Sequence, residues 1–159
     1  MTSSAERKED RKLSLGNDLR IAGKLDGRTW RDCARAVAEL AIARVRLRFN
    51  SVQQILAVPP VPRSPAQVTD ARLARMVDGI AFAIPRMGAR VPWKGTCLVQ
   101  ALAAQRWLSR RGIASEIVLG ARKAGDSGID AHAWLKAGDR IVVGGDLKGY
   151  QAFRPSQMR

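Results

Sequence analysis

The chain has one histidine, His132, and two cysteines, Cys33 and Cys97, among 159 residues. So little cysteine excludes a disulfide framework, and no group of Cys and His has the spacing of metal ligands. Any cysteine–histidine chemistry therefore has a single base to draw on, and no cofactor is expected. No apolar run approaches the ~20 residues that cross a bilayer. The most apolar helical stretch, near 33–47, is interrupted by Arg35, Arg44 and Arg46. The N-terminus lacks an apolar h-region, so a secretion signal is not expected and the cytoplasm is the default location. Aromatic residues are 5% of the chain, internal repeats are absent, and acidic residues are outnumbered 14 to 28 by Lys and Arg.

The resulting net charge of +14 suggests an acidic partner. The arginines are nevertheless scattered through every helical stretch, and no nucleic-acid module is present. A solvated basic surface is the expectation, with neither nucleic acid nor a membrane span as partner. An apolar fraction of 46% and a charged fraction of 26% are those of a globular chain with a proper core. Residues 1–12 are dense in charge and are expected to form a disordered tail. Residues 13–159 are expected to form a single domain, helical over 29–90 and a cysteine-bearing helix plus antiparallel sheet over 91–159.

Thr29 is read as opening a helix, with Asp32 as a shortened capping box. Its apolar face is Trp30, Cys33, Ala34, Val37, Leu40, Ala41 and Val45, which makes Cys33 a core residue. A short helical piece is expected at 51–57, ended by Pro59, Pro60, Pro62 and Pro65. Thr69 is a candidate N-cap for the next helix (Leu73, Met76, Val77, Ile80, Ile84), closed by Pro85 and Gly88. After Gly112 the period falls from 3.6 to 2. A strand follows from Ile113 to about Gly120, then a glycine-rich loop and a second strand over 130–136. That second strand sets His132, Trp134 and Lys136 on one face and Ala131, Ala133 and Leu135 on the other. Ala137-Gly138-Asp139 turns into a returning strand over 140–143, which Gly144-Gly145-Asp146 ends. Tyr150 and Phe153 are read as covering an open sheet edge. The fold class is α+β: a helical half, a cysteine helix and a small antiparallel sheet.

The stretch Trp93-Lys94-Gly95-Thr96-Cys97-Leu98 organises the rest. Leu98, Ala101, Leu102 and Leu108 recur at helical spacing, Thr96 is a plausible N-cap, and Arg110-Arg111-Gly112 ends the helix. Cys97 thus falls in the first turn, where unpaired N–H groups and the dipole favour a thiolate. Taken alone, it reads equally well as a small core residue. Trp93 could wall a site at Cys97, although core packing explains a lone Trp at least as well. Gln100 could approach as a donor, with a polar helix face as the plainer reading. Cys97, His132 on a following strand and an aspartate after the next would form a Cys–His–Asp triad. The thiolate attacks a carbonyl, the imidazole moves the proton, and the carboxylate fixes the ring.

This arrangement resembles the transglutaminase-like, papain-related fold, and more narrowly the leader peptidases of lasso-peptide biosynthesis. The resemblance is carried by Val91-Pro92-Trp93-Lys94-Gly95-Thr96-Cys97-Leu98-Val99-Gln100-Ala101-Leu102, Arg110-Arg111-Gly112-Ile113, Ala131-His132-Ala133-Trp134-Leu135 and Val143-Gly144-Gly145-Asp146, within roughly 29–155. It implies a cysteine protease that removes the leader from a ribosomally made precursor. Cys97 would be the nucleophile, His132 the acid/base and Asp146 the third member, with Trp93, Gln100 and Trp134 as substrate-contacting candidates. Asp139 lies at the turn, and Asp130 is a same-strand neighbour that rarely orients a ring. The implied partners are the precursor leader peptide, a separate leader-binding protein and a lasso cyclase that closes the freed amine. The alternatives are a transglutaminase-like acyl transferase or amidase, and a non-catalytic basic binding or scaffold module.

Overall fold

Apolar residues at helical period fold the first half into helices, and alternation folds the second into strands. In a computed structural model of the protein, residues 26–51, 54, 71–124 and 128–153 are described, residues 72 and 73 by their backbone alone. The elements are α1 (Gly27–Phe49), α2 (Ala71–Gly88), α3 (Cys97–Ser109), β1 (Glu116–Ala124), β2 (Gly128–Ala137), β3 (Arg140–Val143) and β4 (Gln151–Ala152). The expected tail at 1–12, most of the piece at 51–57, the proline loop and Thr69 lie outside the described residues.

The chain divides into two units, Met1–Arg31 and Asp32–Arg159. In the first, the opening turn of α1 is capped by Asp26 rather than by Thr29. The Thr29 N–H donates to Asp26 Oδ1 at 3.0 Å, and the Thr29 hydroxyl donates to the same oxygen. A carboxylate placed before the helix satisfies an orphan donor and meets the positive dipole end, so the helix begins at Gly27. These hydrogen bonds hold the Asp26 carboxyl below its ordinary range.

In the second unit, α3 packs against α2 and against β1, β2 and β3. Leu40 of α1, Ile80 and Ile84 of α2 and Val99 and Leu108 of α3 are fully buried. Each such side chain contributes about 1.5–3 kcal/mol by leaving water. Cys33 is in this core as expected; burial, then the Asp32 charge, pushes its thiol up. Val37 and Val45, expected on the same face, are exposed, because the buried stripe runs instead through Cys33, Ala36, Leu40 and Ala43. Within that stripe Glu39 is buried and pairs with Arg106, with Arg35 at 3.7 Å and with Arg110 at 4.0 Å. Part of the arginine content therefore serves as counter-charge between α1 and α3. Pro85, expected to close its helix, lies inside α2, where it removes one i→i−4 donor; the helix runs one turn further, and Ala89 N–H donates to Pro85 O at 3.1 Å.

The sheet order is β3-β2-β1-β4, and every pairing is antiparallel. β1 continues past Gly120 to Ala124 and β2 starts at Gly128, so the hairpin is longer than the alternation alone suggested. Ala133, Leu135 and Ala137 join the helical core, which leaves His132 and Trp134 on the opposite face. Between β2 and β3 the register shifts at Leu135/Lys136: Leu135 pairs with Val143 and Lys136 with Ile141. The extra residue, Val142, is a bulge that lets Val142 and Val143 both be buried.

Candidate active site

Cys97 is the first residue of α3. Thr96 occupies the N-cap with extended backbone, but its side chain makes no capping bond to the first-turn N–H groups. Cys97 is half-buried at the margin of the core. Gln100, on the same helix, donates from Nε2 to the Gly95 carbonyl at 2.8 Å, which ties the helix to its leading loop. Trp93 packs from that loop onto the core, its indole N–H buried with no hydrogen-bond partner among the described residues.

His132 lies on β2 directly opposite Gly120 of β1. Its Nε2 is 2.6 Å from the Gly144 carbonyl oxygen. A carbonyl can only accept, so in the neutral ring Nε2 carries the hydrogen and Nδ1 keeps the lone pair. Gly144 is at φ 136°, and a Cβ there would lie 2.2 Å from Trp134 Cβ. Only glycine lets the chain leaving the bulged strand pass this close to Trp134 and aim its carbonyl at the histidine. A Cβ at Gly120 would meet Trp134 Cη2 at 2.6 Å, so this position too is open for the indole. Trp134 is buried by these approaches and stacks on His132 at 6.4 Å between centroids.

The alternation along β2 gave no sign of the other ring on His132. Tyr150, just before β4, lies 4.9 Å from the imidazole centroid with the planes 34° apart. Its hydroxyl donates to Asp130 Oδ2 at 2.6 Å, Arg122 Nε donates to that oxygen at 3.0 Å, and Arg122 Nη2 pairs with it at 2.9 Å. The Arg122 guanidinium sits over the Tyr150 ring at 4.6 Å. The Tyr150 hydrogen bond, with Arg122 adding to it, holds the Asp130 carboxyl below its usual range despite partial desolvation, and the charge of His132 acts in the same direction. The Tyr150 hydroxyl is pushed up, chiefly by its bond to Asp130 and by burial, with the charges of Asp130 and Cys97 adding to the effect and Arg122 opposing it. Tyr150 therefore lies against His132.

His132, Trp134, Tyr150, Asp130 and Gly144 are thus brought together, and Cys97 stands at the start of α3, which packs against β2. No hydrogen bond joins Cys97 to His132 or His132 to Asp146. The Asp146 carboxylate is exposed and accepts from the Lys148 N–H at 3.0 Å. A strand glycine facing the only histidine is the sequence signal for close backbone approach here. Tyr150 had no comparable signal, because its place depends on how β4 docks.

Among the described residues no group of His, Cys, Asp and Glu could hold a metal ion, and no helix is long and apolar enough to cross a membrane. A thiol at a helix start and a tautomer-fixed imidazole on a strand stand on an α+β domain of helices and a small antiparallel sheet. The chain belongs to the Transglutaminase-like superfamily, whose match covers residues 36–158. The chemistry this family suggests is that of cysteine proteases and acyltransferases. No curated protein and no solved structure matches the chain.

Proposed function

We propose that the protein is a cysteine peptidase that removes the leader from a ribosomally made lasso-peptide precursor in the cytoplasm. The narrower part of this reading rests on the Trp93–Leu102 and Ala131–Leu135 motifs. The observation that carries its chemistry is the Gly144 carbonyl on His132 Nε2, which leaves the Nδ1 lone pair as a base on the strand against which the Cys97 helix packs. Apo sites of this kind are often looser than the complexes they form.

In this reading His132 Nδ1 takes the Cys97 proton, and Sγ attacks the scissile carbonyl. The Cys97 backbone N–H is one donor to the developing oxyanion. The imidazolium gives its proton to the leaving amine as the C–N bond breaks, which leaves an acyl thioester on Cys97. Water, deprotonated at Nδ1, attacks the thioester, and the thiol regains the proton. Gly144 holds the ring through Nε2. Asp146, the acid implied by the resemblance, follows Gly144 by two residues on the same segment, with its carboxylate turned to the Lys148 N–H. A separate leader-binding protein presents the peptide, and a cyclase receives the freed amine.

The test is to incubate the full chain with the precursor and leader-binding protein encoded beside it and to read the product masses. Two fragments whose masses sum to the precursor plus one water support proteolysis. A product formed on an added amine without that water would instead indicate acyl transfer. Unchanged cleavage by Cys97→Ala or His132→Ala would overturn the mechanism.

A further inference from the structure

We propose that Tyr150 is a positioning residue for His132, held in place by a clamp of Asp130 and Arg122. The proposal rests on the reading of His132 as the base for Cys97 and adds to it the device that fixes the ring plane. The Gly144 carbonyl fixes only one edge of the imidazole, and a ring held by a single hydrogen bond can still rock about that bond. Tyr150 lies against the ring at 4.9 Å and limits that motion.

Tyr150 needs fixing in its turn, because β4 is two residues long, pairs with Gly120 and Ala121, and is followed by a single further backbone bond to β1, from Phe153 N–H to Leu119 O at 2.7 Å. The clamp supplies this. Arg122 and Asp130 face each other across the β1–β2 register, two positions from the Gly120–His132 pair on both strands. Asp130 Oδ2 receives the Tyr150 hydroxyl at 2.6 Å, while Arg122 bonds the same oxygen and covers the phenol ring at 4.6 Å. One carboxylate oxygen thus joins two strands and the loop before a third. A phenol whose only duty was to cover a sheet edge would not need a charged acceptor or a guanidinium over its ring.

The sequence makes the test clean: His132 is the only histidine and Tyr150 the only tyrosine. Nitrogen-15 spectra of the full-length protein report the His132 tautomer. Alkylation by iodoacetamide, followed by peptide mapping, reports Cys97 with Cys33 as internal reference. Tyr150→Ala is expected to mix the tautomers and to slow Cys97 alkylation roughly tenfold, below the ~10²-fold that an ångström of misplacement can cost. Tyr150→Phe and Asp130→Ala break the same bond, so each is expected to slow it about threefold, and the double variant no further. Wild-type tautomer and rate in Tyr150→Ala, or full additivity in the double variant, would overturn the proposal. Asp130 is solvent-accessible, so Asp130→Ala carries the same test if Tyr150→Ala does not fold. If His132→Ala leaves Cys97 reactivity unchanged, the cysteine–histidine reading fails, while the tautomer spectra still decide the role of Tyr150.

Discussion

The two faces of β2 are built by different means. On one, Ala133, Leu135 and Ala137 meet the helices in an apolar layer in which Leu40, Ile80, Ile84 and Leu108 are fully buried. On the other, His132 and Trp134 meet Gly144, Tyr150, Asp130 and Arg122 through directed hydrogen bonds and ring contacts. Burial is non-directional, so the first face sets stability without fixing any one atom. Hydrogen bonds and close glycine approaches fix individual atoms, and the second face is therefore the one that can orient a ring. Stability and orientation should accordingly respond to different substitutions.

The strongest break falls on the core face. Leu108→Ala removes a fully buried side chain from α3 and is expected to cost about 2–5 kcal/mol in denaturant unfolding. The tautomer of His132 in the protein that remains folded should not change. Next comes the one polar knot in the helical layer. Glu39→Ala leaves Arg106, Arg35 and Arg110 without their buried counter-charge. A cost near ~3 kcal/mol is expected, the low end for a broken buried pair because the guanidinium groups reach solvent. Equal stability of Glu39→Ala and wild type would show that the arginines find other partners.

The core face was also the more legible in the sequence. Periodicity located α3 with Cys97 in its first turn, and alternation assigned His132 and Trp134 to one face and Ala133 and Leu135 to the other. The turn at Ala137-Gly138-Asp139 was equally plain. What periodicity missed was decided by neighbours distant in the chain. Val37 and Val45 are exposed because the stripe turned toward Ala36 and Ala43. The strand runs through Gly120 because Trp134 needs the space that glycine leaves. The pairing of His132 with the Gly144 carbonyl depends on a one-residue bulge, and the place of Tyr150 on a two-residue strand. Neither feature has a pattern long enough to read. Asp26 was a missed cap, since Thr29 and Asp32 made a competing signal three residues later.

A break on the site face should move orientation more than stability. Gly144→Ala forces a Cβ to within 2.2 Å of Trp134 Cβ at a φ that side chains rarely adopt. Overpacking of this kind costs about 2 kcal/mol. The larger effect is expected on the ring: the carbonyl withdraws from Nε2, the tautomer is no longer fixed, and any Cys97-dependent turnover falls by on the order of 10²-fold. Retention of the Nε2–H tautomer in Gly144→Ala would mean that Tyr150 and Trp134 alone hold the ring.

The smallest effect, and the sharpest contrast between the faces, lies in pH. The Asp130 carboxyl is held below the ordinary value of 3.8, so its contribution to stability is complete above that pH and is lost as pH falls through the lower folded value. The Tyr150 hydroxyl is held above 10.0, so its contribution is complete below that pH and is lost as pH rises through the higher folded value. The stability difference between wild type and Tyr150→Phe should therefore be flat from 3.8 to 10.0 and should shrink on both sides. Its size is small, because Asp130 and Tyr150 both remain accessible to water. Urea unfolding across this range measures it. In Asp130→Ala the tyrosine absorbance titration should also move back toward 10.0. An unmoved titration would show that burial, rather than the clamp, raises the phenol, and the site face would then owe less to directed bonds than the hydrogen-bond geometry indicates.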